Sequence, residues 1–321
     1  MFEQNSLFEL GPRLPTSRDI ALMVKAGGEA ALTEAQRRAD AARYQEIQCR
    51  AALNRTAGMP FNWTLNPYRG CTHGCHYCFA RKYQHQLELG AGDTFSSLIL
   101  VKVNLVDVLT KELDKPSWTR EQVAVGTATD PYQPIEGHYK LTRRSLQALA
   151  AARTPAGLVT KGPMVVRDID VLAELTRAAA CTIYMSVPSV DEDIWRDLEP
   201  GTAHPLQRLR AVKTLRKAGI RAGVLINPLV PGFSTRRKAL ERTIEAVADH
   251  DAAFAGMNTM YLDGGTRAHF MGFLQQEHPA IVRRYERLYA KKYVSKTYAS
   301  LVKARFDSLR KKHRLAGRNS D

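Results

Sequence analysis

Asn66-Pro67-Tyr68-Arg69-Gly70-Cys71-Thr72-His73-Gly74-Cys75-His76-Tyr77-Cys78-Phe79-Ala80-Arg81 sets three cysteines in a CxxxCxxC spacing on one short loop. Three thiolates this close in the chain suit three irons of a [4Fe-4S] cube and leave the fourth iron open to a group that is not protein. The competing use of the same thiols is a structural zinc site with His73 or His76 as fourth ligand. Zinc knuckles usually pair two CxxC-like hairpins, and this chain has no second pair.

Outward from this loop, short β-branched runs alternate with amphipathic helical stretches, the pattern of repeated βα units on a parallel sheet. Strands are expected near Trp63–Asn66, Gln122–Thr127, Gly157–Thr160, Thr182–Val187, Arg221–Ile226 and Gly256–Leu262. Asp168 and Ser234 read as the starts of two intervening helices. Six units predict an α/β fold, a partial (β/α)6 TIM-like barrel with helical N- and C-terminal extensions. Polar and glycine residues follow the strands: Gly126-Thr127-Ala128-Thr129-Asp130, Thr160-Lys161-Gly162, Ser186-Val187-Pro188-Ser189 and Asn227-Pro228. Active sites of parallel barrels form at the C-terminal strand ends, so the cysteine loop, which follows the first strand, falls on the same face.

The expected divisions are 1–60, a helical N-terminal extension; 61–265, the core barrel; and 266–321, a basic helical C-terminal region. An Ala/Arg/Glu/Gln-rich helix is expected from near Thr33, with Glu34 in its first turn, toward Leu53, with Gly58 and Pro60 breaking the pattern. In the C-terminal region Pro279 separates two helical segments. No internal repeat and no low-complexity tract is present.

With 321 residues and 44% apolar content the chain supports a sizeable core. Five cysteines, two of them isolated (Cys49 and Cys181), do not form a disulfide framework, which points to a reducing compartment. Met1–Leu7 carries no basic segment or apolar run of the secretory kind, and no stretch approaches the ~18 apolar residues of a membrane span. The expectation is a cytoplasmic protein with no membrane partner. A net charge of +15 favours a polyanionic partner or an anionic substrate. Residues 283–318 hold thirteen Lys/Arg against two acids, interleaved with Tyr285, Tyr289, Tyr293, Tyr298 and Phe306. These residues suit either an amphipathic helix packed on the barrel or contact with a nucleic acid.

With the aromatic Tyr77 before the third cysteine, the loop resembles that of the radical S-adenosylmethionine (SAM) superfamily, over roughly residues 61–265. The resemblance implies that the open iron binds SAM, that an electron from the cluster cleaves the sulfonium, and that the resulting 5′-deoxyadenosyl radical abstracts hydrogen from a substrate. A reductant such as flavodoxin or ferredoxin is then implied as a partner. The stretches 127–136, Val159-Thr160-Lys161, Met185-Ser186 and Leu198-Glu199-Pro200-Gly201-Thr202 resemble, in order, the spore photoproduct lyase branch and its relatives of unassigned reaction. By that resemblance Thr129 and Asp130 meet the amino end of SAM, Lys161 its carboxylate or ribose, and Ser186 the ribose, with Tyr77 and Asn227 in the same cofactor-binding set.

The bland alternatives are a turn capped by Thr129 or Asp130 and a solvated Lys161. The lyase has a cysteine at the position of Thr127, where it returns a hydrogen atom to the product radical. A threonine O–H is a far poorer hydrogen-atom donor, so the resemblance carries over the cofactor chemistry and not the reaction. Tyr132 is the foremost radical-relay candidate, ahead of Tyr68 and Tyr184. Cys49 is expected on the N-terminal helix, and Cys181 at the start of the fourth strand as a small buried hydrophobe. Two other functions fit the same residues: a radical SAM enzyme acting on a peptide or small molecule, and a non-catalytic iron–sulfur or zinc protein that binds nucleic acid.

Overall fold

The computed structural model describes residues 34–87 and 92–318. The start of the expected N-terminal helix at Thr33, the Met1–Leu7 segment and residues 319–321 of the C-terminal region lie outside the described residues.

Ten strands are present among these residues: β1 Arg43–Ile47, β2 Leu53–Arg55, β3 Trp63–Leu65, β4 Tyr68–Arg69, β5 Leu98–Lys102, β6 Val123–Val125, β7 Ala156–Thr160, β8 Cys181–Ser186, β9 Arg221–Leu229 and β10 Ala255–Thr259. The main sheet runs β10-β9-β8-β7-β6-β3-β2, all parallel except for the antiparallel edge strand β2. Its six parallel strands fall at the six expected positions, and its two ends do not pair with each other, so the barrel is open.

Buried parallel strands read as short apolar runs, and the register shows why. Leu65, Val125, Leu158, Ile183 and Ala222 stand side by side across β3, β6, β7, β8 and β9. All five are fully buried in one apolar cluster with the helices Leu141–Ala151, Ile169–Ala178 and Pro205–Lys217. Each strand so anchored delivers the residues after it to the same end of the sheet.

The N-terminal extension departs from expectation. The helix Glu34–Ala41 stops short, and Arg43–Ile47 forms β1, parallel to β5. β5 is the apolar run Leu98-Ile99-Leu100-Val101-Lys102, which is absent from the six expected strands and also pairs with β4. Helix propensities differ by only tenths of a kcal/mol per residue. A sheet partner, together with the packing of Tyr44 against Ile99 and Val101, overrides them.

The expected helix start at Asp168 holds in position and the one at Ser234 is shifted, and neither side chain caps its helix. Ile169–Ala178 begins after Asp168, but the Asp168 carboxylate is taken by Arg143, Arg167 and Tyr132 instead of capping the helix. Ser234 accepts the Val230 N–H at 2.8 Å, and the helix it was expected to start spans Arg237–Asp249.

The C-terminal region has no core of its own. Val302, Phe306 and Leu315 join the barrel cluster, while Phe270, Phe273, Tyr285 and Tyr289 pack with Cys75 and Tyr77. Pro279 opens a short 3-10 turn between the helices Gly264–Glu277 and Val282–Leu288. Among the described residues no helix is long and apolar enough to cross a membrane.

Leu158→Ala opens a cavity at the centre of the buried row. It is expected to lower stability by about 3 kcal/mol, seen in equilibrium denaturation as a lower midpoint with an unchanged slope.

Candidate functional site

The cysteine loop is pinned from several sides. Cys71 N–H donates to Phe95 O at 3.0 Å, His76 N–H to Leu198 O at 3.1 Å, and Gly201 N–H to His73 O at 3.0 Å. From the C-terminal region Thr266 Oγ1 donates to Cys78 O at 3.1 Å, and the Phe273 ring stacks on His76 with centroids 4.1 Å apart. Gly201 is required by contact, since a Cβ there would lie 2.4 Å from Thr72 O and 2.9 Å from His73 O.

All three thiols are free; Cys71 and Cys75 are buried and Cys78 is half-buried. Burial pushes each above the ordinary thiol range, Cys75 to about 12. Beside them lies a guanidinium that is itself only 1% exposed. Arg81 donates to Cys75 O at 3.3 Å, Gly74 O at 3.0 Å and Gly92 O at 2.7 Å. Its charge bears on all three thiols, and burial pulls its own pKa down.

The expected strand-end residues are drawn together by their own hydrogen bonds. After β6, Asp130 accepts from Thr160 Oγ1 at 2.6 Å, Lys161 N–H at 2.6 Å and Tyr132 N–H at 2.9 Å, with His73 Nδ1 at 3.3 Å. Burial alone would raise this carboxyl; His73 and the donated hydrogen bonds hold it below its ordinary value. Thr129 Oγ1 donates to Gly70 O at 2.6 Å and accepts from Gln133 Nε2 at 3.0 Å. Both side chains therefore tie the loop after β6 to the cysteine loop and to β7. The capping alternative is realised as well, because Asp130 closes a turn onto the N–H two residues ahead.

Lys161 Nζ donates to Ser186 Oγ, which donates to Asn227 O at 3.0 Å, linking the ends of β7, β8 and β9. The Lys161 side chain is only 14% exposed and is not a solvated surface base. It pairs with Glu199 at 3.1 Å, and Glu199 also pairs with Arg208 at 2.8 Å and accepts from the Tyr77 hydroxyl. Arg208 in turn donates to Ser186 O at 3.0 Å.

Burial would raise the Glu199 carboxyl, but Arg208 and Lys161 hold it at about 2. The stabilisation its ion pairs bring is therefore complete above its ordinary value of 4.5 and is lost only as the pH falls through about 2. Glu199 and Arg208 join the site without having been expected there. In the sequence Glu199 figures only within the resembling stretch Leu198–Thr202, with no role attached to it.

This donor set fits an iron–sulfur cluster. Metal binding would turn the three buried thiols into thiolates, and Arg81 and Lys161 stand close enough to offset that charge. Among the described residues no three His, Cys, Asp or Glu side chains surround the position of one metal ion. A cube gives each thiolate its own iron and does not ask for such a grouping.

Residues 65–247, more than half of the chain, match the radical SAM superfamily. The chain belongs to that superfamily. Membership brings the use of SAM and an iron–sulfur cluster, and the need for a reductant. An uncharacterized protein of Mycobacterium tuberculosis is 37% identical over 282 residues, covering 87% of this chain and 83% of that protein. A radical SAM Nα-GlyT isomerase of Pseudomonas phage M6 is 28% identical over 170 residues, 53% of this chain and 33% of the isomerase. A spore photoproduct lyase variant solved with AdoMet and dinucleoside spore photoproduct superposes with a TM-score of 0.68 at 15% identity, covering 88% of this chain and 83% of the lyase. That likeness is one of fold.

Several residues lie differently from what this radical SAM sequence suggested. Tyr132 is on the expected loop, with its ring buried in the main apolar cluster and its hydroxyl donating to Asp168 at 2.9 Å. Tyr68 is committed to Glu136, and Tyr184 lies 5.3 Å from Phe254. His73 and His76 line the cysteine loop: burial, reinforced by His269, drives His76 down to about 3, and His73 is 5% exposed. Cys49 sits between β1 and β2 rather than on a helix, its backbone held by Asn104 at 2.8 and 3.0 Å. Cys181 opens β8 and is buried, as expected. Thr127 remains partly exposed, its Oγ1 accepting from Asn66 Nδ2 at 3.3 Å, and Asn227 is half-buried.

Gly201→Ala drives a methyl into the carbonyls of Thr72 and His73. Anaerobic reconstitution is expected to yield less than about half of the wild-type iron per chain, measured by iron and sulfide assay, with far-ultraviolet circular dichroism unchanged.

Proposed function

We propose that this protein is a radical SAM enzyme whose Cys71, Cys75 and Cys78 hold a [4Fe-4S] cluster, with Thr129, Asp130, Lys161, Ser186, Asn227 and Tyr77 forming the SAM pocket. The observation that carries this reading is the convergence of the cysteine loop with the ends of β6, β7, β8 and β9 through Asp130, Lys161 and Glu199. When bound, the cluster and SAM supply reductive cleavage of the sulfonium and a 5′-deoxyadenosyl radical that takes a hydrogen atom from the substrate.

The chain's own part is binding, charge balance and exclusion of water. Arg81 offsets thiolate charge in a buried setting, where that attraction is strongest. Lys161 presents an ammonium suited to a carboxylate or ribose hydroxyl, and Ser186 a hydroxyl suited to ribose. Thr129 and Asp130 shape the pocket that meets the amino end of SAM and fix the height of the cysteine loop against β7. Glu199 keeps Lys161 extended toward the pocket and fixes the Tyr77 ring beside the cluster. Asn66 donates to Thr127 Oγ1 and leaves the Thr127 proton available to a substrate at the barrel mouth.

The substrate is read as a polyanion, with nucleic acid as the leading class. The net charge of +15 and the basic C-terminal helices support this, as does the dinucleoside carried by the lyase of the same fold. The reductant is a small flavodoxin- or ferredoxin-like protein. The free thiols fit a reducing cytoplasm.

Anaerobic reconstitution with iron and sulfide, followed by dithionite and SAM, is expected to release 5′-deoxyadenosine, quantified by chromatography. Cys75→Ala is expected to lose both the brown chromophore and SAM cleavage. A wild-type protein that holds its cluster and releases no 5′-deoxyadenosine would refute the enzyme reading.

A further inference from the structure

The loop after β9 borders a cleft of about 380 Å³ whose lining includes Thr235, Arg236, Arg284, Tyr285, Tyr298 and Arg305. No lining residue is acidic. Among the described residues none of the three arginines makes an ion pair. Asp307, on the same helix as Arg305, is engaged by Lys303 and Arg310 instead. Arg236 and Arg305 are anchored on backbone carbonyls, Arg236 on Gly232 O and Arg305 on Thr235 O at 3.3 Å. These bonds aim the guanidiniums and leave their charge uncancelled. Three like charges around one cleft repel one another unless an anion lies between them, and a guanidinium fork matches phosphate geometry.

Two further groups suit the same ligand. Thr235 Oγ1 accepts the Gly232 N–H at 2.9 Å and lies 3.1 Å from the Tyr298 hydroxyl. Their contact uses one of the two hydroxyl protons, so the other is free to donate. The helix Arg237–Asp249 starts at this loop with no side-chain cap, so the positive end of its dipole is not met by a carboxylate.

The cleft lies beside the loop that follows the C-terminal end of β9. Its loop begins three residues after Asn227, whose carbonyl receives Ser186. Val230 and Phe233 of that loop share an apolar cluster with Cys75 and Tyr77. Small-molecule sites occupy roughly 300–1,000 Å³, so the cleft has room for more than the phosphate alone, about one nucleotide unit.

We propose that this cleft is a phosphate-binding subsite in which Arg236, Arg284 and Arg305 grip a phosphoester of the substrate. It rests on the proposed function only in taking the ligand to be the substrate. The phosphate comes either from a nucleic-acid backbone or from a free nucleotide.

The test uses the reconstituted full-length protein without reductant, so the result does not depend on SAM cleavage. Binding of a fluorescein-labelled single-stranded oligodeoxynucleotide is followed by anisotropy across a salt series, and binding of dAMP by calorimetry. The Arg284→Gln/Arg305→Gln double variant is compared with Lys291→Gln/Lys292→Gln, which removes the same charge elsewhere. If the source is a nucleic acid, the arginine variant is expected to bind the oligonucleotide at least about tenfold more weakly. Its slope of log K against log salt should fall by about one, with a change of less than about threefold in the lysine control. If the source is a free nucleotide, dAMP binds the wild type and is lost from the arginine variant. Either result supports the subsite. The same affinity for both probes in wild type and arginine variant, or an equal loss in the lysine control, overturns it. A protein that cleaves SAM but gives that result would lose this proposal and keep its proposed function.

Discussion

The buried carboxylate of Glu199 is the contact on which the site depends. It is 2% exposed and engages Lys161 of the β7 end, Arg208 of the helix Pro205–Lys217, and Tyr77 of the cysteine loop. Removing one member of such a buried network leaves the others as uncompensated charges, at a cost of about 3–5 kcal/mol. The same carboxylate fixes where Lys161 points and where the third cysteine's neighbour sits. The cysteine loop and strand ends contributed by distant parts of the chain are thus joined through one side chain.

Asp130 plays the corresponding part on the other side of the loop. It meets His73 of the cysteine loop and Thr160 and Lys161 of the β7 end. Between these two acids the loop has little freedom, and the helix Gly264–Glu277 closes over it through Thr266 and Phe273. Six parallel strands supply the frame, because their C-terminal ends all lie at one end of the sheet and their following loops meet there. Cys75 and Tyr77 share an apolar cluster with Phe270, Phe273, Tyr285 and Tyr289. The basic C-terminal region is therefore a wall of the site as well as a charged surface.

The fold was largely legible in the sequence, and the site partly so. Strands such as Cys181–Ser186 and Arg221–Leu229 are legible because burial on both faces demands an apolar run, and the polar residues that follow mark the active face. Arg43–Ile47 is not legible, since its amino acids favour helix and only its partner Leu98–Lys102, remote in the chain, makes it a strand. The three cysteines announce themselves by spacing. Glu199 does not, because a buried acid is recognised only by partners that folding brings to it. Tyr132 shows the converse: its loop position suggested chemistry, while its side chain turns inward to Asp168. Spacing along the chain identifies residues that act from one loop, and tertiary packing decides the rest.

The most direct measurement is on Glu199→Gln, which keeps the size of the side chain and removes its charge. Iron and sulfide content after anaerobic reconstitution, and SAM affinity by equilibrium dialysis, would be compared with the wild type. If Glu199 joins the cysteine loop to the cofactor pocket, both fall together, with SAM affinity reduced at least about tenfold. Wild-type iron content together with wild-type SAM affinity would contradict the account.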